Sequence, residues 1–277
     1  MPQITASLLS GLTPEPVQLI VTGVPQGEEF VVRGRAGDVT WDVPGGRRTA
    51  PDGQVVLIDV RAPINLPVVY ELTHGQQVVT SDPVQVRWQP DGAYRRALVQ
   101  SLDGRTVIPV RMWIHNGLPR DPHVGSVAFR VEGRSRPVVV MRPAGDGTTT
   151  FRLLLTREAG EALTRVMRAG GGIAVRTDGS VRDLPATDLG VVLGWPSELW
   201  DGDGGLSTSR VYTLTVQWID DPEPDVPVAL YTWDDFDHMW SASTWDDFDR
   251  FFAGRTWADF DALDYGQYGV IGQVPDA

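Results

Sequence analysis

No cysteine occurs in the 277 residues, which excludes disulfide staples and thiolate metal sites. The same absence leaves the redox compartment open, because a chain without thiols folds in either setting. Lysine is absent too: all 24 basic residues are arginine, a bias we read as the codon usage of a GC-rich genome. No apolar run approaches the roughly 20 residues of a membrane helix, so a membrane span is not expected. The opening MPQITASLLSGLTPEP has neither a basic start nor a sustained apolar stretch, so a signal peptide is not expected either. What is present is 42% apolar residues, enough to build the cores of about one to three domains.

Charge is unevenly placed. Residues 220–277 hold 13 Asp and Glu223 against Arg250 and Arg255, whereas residues 1–219 carry 22 acids and 22 bases. The body is neutral, and the end of the chain carries the whole net charge of −12. Such a segment repels nucleic acid and anionic membrane and favours a basic partner.

Residues 1–88 alternate short apolar runs with turn signals, as in VQLIVTGVP, EEFVVRGRAGD, VTWDVPGG, QVVLIDV, PVVYELTHG and QQVVTSDPVQVRW. About seven short strands at this spacing predict an antiparallel β-sandwich of immunoglobulin or fibronectin type III character, with Trp41 buried between its sheets. QPDGAY at 89–94 clusters turn residues and marks a boundary. Over 95–219, RALVQSLDGRTVIPVRMWIHNG and SVAFRVEGRSRPVVVMRP each turn at D-G or E-G and read as hairpins. TTTFRLLL, GIAVRTDG, LGVVLGW and RVYTLTVQWID continue the β pattern, and in the last Tyr212, Leu214, Val216 and Trp218 share a face. One helix interrupts near 157–169, with Thr156 as N-cap, Glu158 in the first turn, Leu163, Val166 and Met167 on one face, and Gly170 to Gly172 as the stop. The predicted fold is mainly β: a sandwich, a second β-rich domain with one helix, and a tail of short amphipathic helices.

A Pro-rich acidic linker at 220–231 follows, and its prolines predict an extended tether of about 3 Å per residue. The tail proper, 232–277, writes T-W-[DA]-D-F-D from Thr232, Thr244 and Thr256, a period of 12. Each copy is a helix-start signal. The Thr at the N-cap accepts from the backbone N–H three residues on, where Asp235, Asp247 and Asp259 reach back in an acidic capping box, and Asp234 and Asp246 complement the helix dipole. Trp233, Phe236 and Trp240 fall at i, i+3 and i+7, as do Trp245, Phe248 and Phe252, while Trp257, Phe260 and Leu263 form a shorter set. Breaks at SAS, AGR and DYG hold each helix to about two turns, below the roughly 12–15 residues at which isolated helices become marginal. The aromatics therefore need a surface to bury against. The chain's own body, another copy of the chain or a different protein, or a ligand or carbohydrate platform all remain open, with another copy or protein favoured because a tether followed by repeated anchors suits gripping a neighbour.

Catalytic and cofactor signatures are missing. There is no G-x-S-x-G, H-E-x-x-H or Walker loop, and RAGGGIA follows a helix instead of a strand, as a helix stop does. His115 and His123 flank a loop at a spacing that matches no established metal site. Asp201 and Asp203 in WDGDGGLSTS alternate like the start of a calcium loop, but its closing acid is missing. Adjacent carboxylates such as Asp234 and Asp235 diverge on a helix and are accounted for by capping. Neither an enzyme nor a cofactor or metal is expected.

The thrice-written T-W-[DA]-D-F-D, behind a β body closing in VYTLTVQW, resembles minor tail proteins of long-tailed bacteriophages that infect actinobacteria. In that family TWADFD-like and TWDDFD-like phrases recur near the C-terminus, and an arginine-only composition suits GC-rich hosts. The resemblance implies a structural virion protein of the tail tip or baseplate, with sandwich and tail-tube-like domains in homo-oligomeric rings or around a hub. Other tail proteins are its implied partners, and the virion tail its location after assembly in the host cytoplasm, with lysis in place of an export signal. The alternative is a virion adhesin for host-surface glycan, for which Trp88, Trp113, Trp195 and Trp200 are candidate platforms. The third copy departs from the pattern, with Ala258 for the first Asp and Asp264 at the i+7 position.

Overall fold

Alternation of apolar and polar residues over the first 88 positions builds eight strands in the computed structural model. The structure describes residues 1–89, 96–113, 120–121, 127–130, 132, 135–136, 138–140, 147–170, 172–200, 207–222, 226–228 and 233–263. The strands are β1 (Gln3–Leu8), β2 (Val17–Thr22), β3 (Glu29–Ala36), β4 (Val39–Thr49), β5 (Val55–Asp59), β6 (Pro67–His74), β7 (Gln77–Thr80) and β8 (Val84–Gln85). They form two antiparallel sheets, one ordered β1-β2-β5, the other β4-β3-β6-β7 with β8 beside β6. Leu19 and Leu57 from the first sheet and Phe30, Val32, Tyr70 and Leu72 from the second bury one common core. Strand β1 lies in a stretch where no strand is expected from the pattern.

Trp41 is half-buried, not enclosed as predicted. Its indole lies across Gly34 on the neighbouring strand, where a β-carbon would come within 2.2 Å of the ring. Its Nε1–H donates to Asp59 at the end of β5 at 2.8 Å, so the ring ties the two sheets together. Only a residue without a side chain at 34 permits this approach.

The second half of the body contains β9 (Ala97–Ser101), β10 (Val107–Pro109), β11 (Arg111–Trp113), β12 (Arg120–Asp121), β13 (Val127–Phe129), β14 (Val138–Val140) and β15 (Thr148–Thr156). After helix α1 (Arg157–Arg168) come β16 (Gly172–Thr177), β17 (Thr187–Gly194), β18 (Ser197–Leu199) and β19 (Ser209–Trp218). Nine of these strands join one sheet along the order β10-β9-β16-β17-β19-β15-β11, with β12 on β15 and β18 on β19, while β13 and β14 pair separately. The Thr156 hydroxyl caps α1 by accepting from the Ala159 N–H at 3.3 Å. Leu163, Val166 and Met167 then pack on Phe151, Leu153, Ile173 and Leu214. Gly160 sits where a β-carbon would meet the Tyr212 hydroxyl at 2.4 Å, so the helix rides close on β19.

The two halves are stitched through buried polar groups along 59–64. Gln100 Nε2 donates to the Val60 carbonyl at 2.7 Å, Arg176 Nε to the Ala62 carbonyl at 2.6 Å, and the Thr187 hydroxyl to the Arg61 carbonyl at 2.7 Å. Leu98 belongs to the first core although it follows residue 89. Arg61 forms a two-pronged, buried ion pair with Asp221, and Pro227 lies against Gly45. These described parts of the linker are anchored to the first half, where the sequence predicts a tether. Among the described residues 46% are strand and 14% helix, so the fold is mainly β. No helix among them is long and apolar enough to cross a membrane.

Candidate docking surface

Each repeat folds as one short helix: α2 (Trp233–Met239), α3 (Trp245–Phe251) and α4 (Trp257–Asp261). In α3 the Thr244 hydroxyl accepts from the Asp247 N–H at 3.3 Å, and Asp247 Oδ2 accepts from the Thr244 N–H at 2.9 Å. In α4 Thr256 and Asp259 repeat the pair at 3.3 and 2.7 Å. Two of the four orphan donors of each helix start are thereby satisfied within four residues of sequence. Asp247 is buried and also accepts from Arg250 Nη2 at 2.7 Å. Asp235 is exposed at the corresponding place in α2, and Thr232 lies outside the described residues.

Helices this short cannot stand alone. What holds them is a shared aromatic cluster. Phe236, Phe248 and Phe260, one from each helix, converge with centroids 6.0, 6.0 and 6.5 Å apart. Trp240 stands 5.1 Å from Phe248, and Phe252 stands 4.7 Å from Phe248 and 5.3 Å from Phe260. Phe251, which the repeat pattern does not single out, joins through Trp240 at 5.4 Å and carries the Arg255 guanidinium over its ring at 4.8 Å.

Trp233, Trp245 and Trp257 behave differently from the other five predicted anchors. Each leans edge-to-face on the Phe three residues on, at 5.5, 5.8 and 5.6 Å and interplanar angles of 78°, 74° and 74°. Yet they remain 74%, 77% and 77% exposed. The predicted docking set thus splits: Phe236, Trp240, Phe248, Phe252 and Phe260 pack on one another, and three tryptophans point away. The unit is seated on the chain's own first half, where Gln54 Nε2 donates to the Ala258 carbonyl at 2.7 Å and Gln18 Nε2 to the Ala262 carbonyl at 3.0 Å.

The two hydrogen bonds from Thr256, backbone first, hold the Asp259 carboxyl below its ordinary 3.8, helped by Arg255. A depressed carboxyl stabilises the fold above its unfolded value and loses that contribution as pH falls through the folded one. Acidification below pH 3.8 is therefore expected to loosen the start of α4. The Trp257 indole N–H resonance in a pH titration reads this. A resonance that moves identically in the Asp259→Asn variant would reject it.

Elsewhere, Trp88 is buried, Trp195 and Trp200 are partly exposed, and the Trp113 side chain is outside the described set. His115, His123, Asp201 and Asp203 also lie outside the described residues. No group of three or more potential metal ligands occurs among the described residues. Comparison with protein-family models and with curated proteins returns no match.

Proposed function

We propose that this chain is a structural, non-enzymatic component of a bacteriophage tail tip or baseplate, docked onto neighbouring tail proteins through its acidic aromatic repeat. The observation that carries this reading is the exposure of Trp233, Trp245 and Trp257 on a packed aromatic base. Covering one large aromatic contributes on the order of 1.5–3 kcal/mol, and a ring already held by its neighbour loses little freedom on docking. Buried tryptophans dominate many interfaces for this reason. The setting comes from the resemblance of T-W-[DA]-D-F-D to minor tail proteins of long-tailed phages. In that setting the first half is an immunoglobulin- or fibronectin-like sandwich, the second a tail-tube-like domain, and copies of the chain assemble as a ring in the host cytoplasm before entering the virion tail.

The test offers full-length protein as bait to disrupted phage particles and, separately, to host cell walls. Tail proteins are expected on the wild-type bait, with at least about tenfold weaker retention by the Trp233→Ala, Trp245→Ala, Trp257→Ala triple variant. If both baits hold cell wall equally and neither holds tail proteins, the glycan-adhesin reading replaces this one, with Trp195 and Trp200 as its exposed aromatics.

A further inference from the structure

Every position shared by the three copies of T-W-x-D-F-D can be assigned a task inside the fold except two. In the second and third copies Thr caps and the Asp at the fourth position closes the capping box, and in all three Phe fills the cluster. The tryptophan, which touches the cluster only by an edge and leaves most of its surface exposed, and the final aspartate have no such task. Asp237, Asp249 and Asp261 are exposed, and none makes an ion pair or hydrogen bond with a described residue. Each stands four residues after its tryptophan, so the two side chains are neighbours on one helix face. The position that varies, Asp234, Asp246 and Ala258, is not one of them.

An aromatic face beside a carboxylate is the chemistry that receives a guanidinium: the plane stacks on the indole while its N–H groups pair with the acid. The cluster already uses both halves of this contact, with Arg255 over Phe251 at 4.8 Å and Arg250 on Asp247 at 2.7 Å. Between 233 and 263 the chain carries eight aspartates and only those two arginines. Both are engaged internally, so Asp237, Asp249 and Asp261 face solvent without an ion pair from the described residues of the unit. Charge complementarity therefore selects a cationic occupant, and in a genome that writes 24 arginines and no lysine into this chain that cation is arginine.

We propose that Trp233 with Asp237, Trp245 with Asp249, and Trp257 with Asp261 form three equivalent receptors for arginine side chains on a partner protein. This rests on the docking reading and specifies the partner's chemistry. Each receptor is weak by itself in exposed surroundings, and the threefold repetition supplies avidity.

The test uses the full-length protein labelled at its indole nitrogens and a synthetic peptide carrying three arginines on flexible spacers. The Trp233, Trp245 and Trp257 N–H resonances are expected to shift on titration while those of Trp41 and Trp88 stay put. The same peptide with citrulline is expected to leave all of them unmoved. The Asp237→Asn, Asp249→Asn, Asp261→Asn triple variant, altered only at exposed side chains, is expected to melt as wild type and bind the peptide about tenfold more weakly. Equal binding of arginine and citrulline peptides, or no binding of either, overturns the proposal. Capture from disrupted tails separates the two readings. Tail proteins held by wild type and by the Asp variant alike, but lost with the Trp variant, leave docking standing and sink arginine recognition. Arginine-peptide binding without any tail capture supports the receptors and sinks the docking reading.

Discussion

Replacing Asp59 with alanine is expected to cost about 3–5 kcal/mol, the range for removing one member of a buried charge pair. Asp59 is fully buried and accepts from Trp41 Nε1 at 2.8 Å, the Tyr70 hydroxyl at 2.8 Å and the Arg61 N–H at 2.7 Å. Its charge also acts on the buried Arg176, without a direct ion pair between them. Burial pulls that guanidinium down to about 10, and the Asp59 charge works against the shift. Arg176 Nε and Nη1 donate only to neutral oxygens, of Ala62 and Gln100, and Nη2 has no hydrogen-bond partner among the described residues, so no other carboxylate hydrogen-bonds this guanidinium there. Tyr70, pushed well above 10 by burial and then by Asp59, stays a neutral donor. Alanine at 59 would leave the Tyr70 donor orphaned and the Arg176 charge uncompensated in one step. The readout is thermal unfolding, with a fall of about 10 °C. Tyr70→Phe removes one hydrogen bond and is expected to cost only about 1 kcal/mol. A loss below that value for Asp59→Ala would show that solvent reaches this cluster.

Phe248→Ala is expected to dismantle the repeat unit while leaving the β body intact. Phe248 touches all three helices through Phe236, Trp240, Trp245, Phe252 and Phe260. Phe248 is half-buried, so removing its ring costs on the order of 2 kcal/mol, and α2, α3 and α4 are too short to survive separately. Amide hydrogen exchange should therefore lose protection across all three helices together, with the strands unchanged. Trp245→Ala, which removes an exposed ring, serves as the control and should leave exchange nearly unaltered. Protection lost in α3 alone would mean that the helices are held by the body and not by one another.

The mainly β character was legible because it depends on alternation, which each strand writes in its own residues: Phe30, Val32 and Ala36 face inward along β3. Strand β1 was not. QITASL has Ile4 as its one strongly hydrophobic inward residue, with Ala6 and Leu8 only partly covered, so its alternation is too weak to separate from a loop. The half-buried setting of Trp41 is not legible locally, because it depends on Gly34, seven positions earlier, and on Asp59 in the opposite sheet. Neither partner is visible in a local window.

The repeat divides the same way. Capping is settled within four residues, so Thr244 with Asp247 and Thr256 with Asp259 follow from the sequence alone. The amphipathic spacing likewise marks which residues are aromatic anchors. Which anchors turn inward is another matter. Trp233 and Phe236 lie on one stripe by periodicity, yet one is exposed and the other meets Phe248 and Phe260. Spacing defines a face of one helix, and only the packing of three helices against each other and against Gln18 and Gln54 decides which part of that face is covered. Where each helix begins, which residues can be buried and where the charge lies are local properties, and so they can be read from the order of residues alone. That the phenylalanines form the base and the tryptophans the outer surface follows only from the packing, because burial is a relation among residues far apart in the chain.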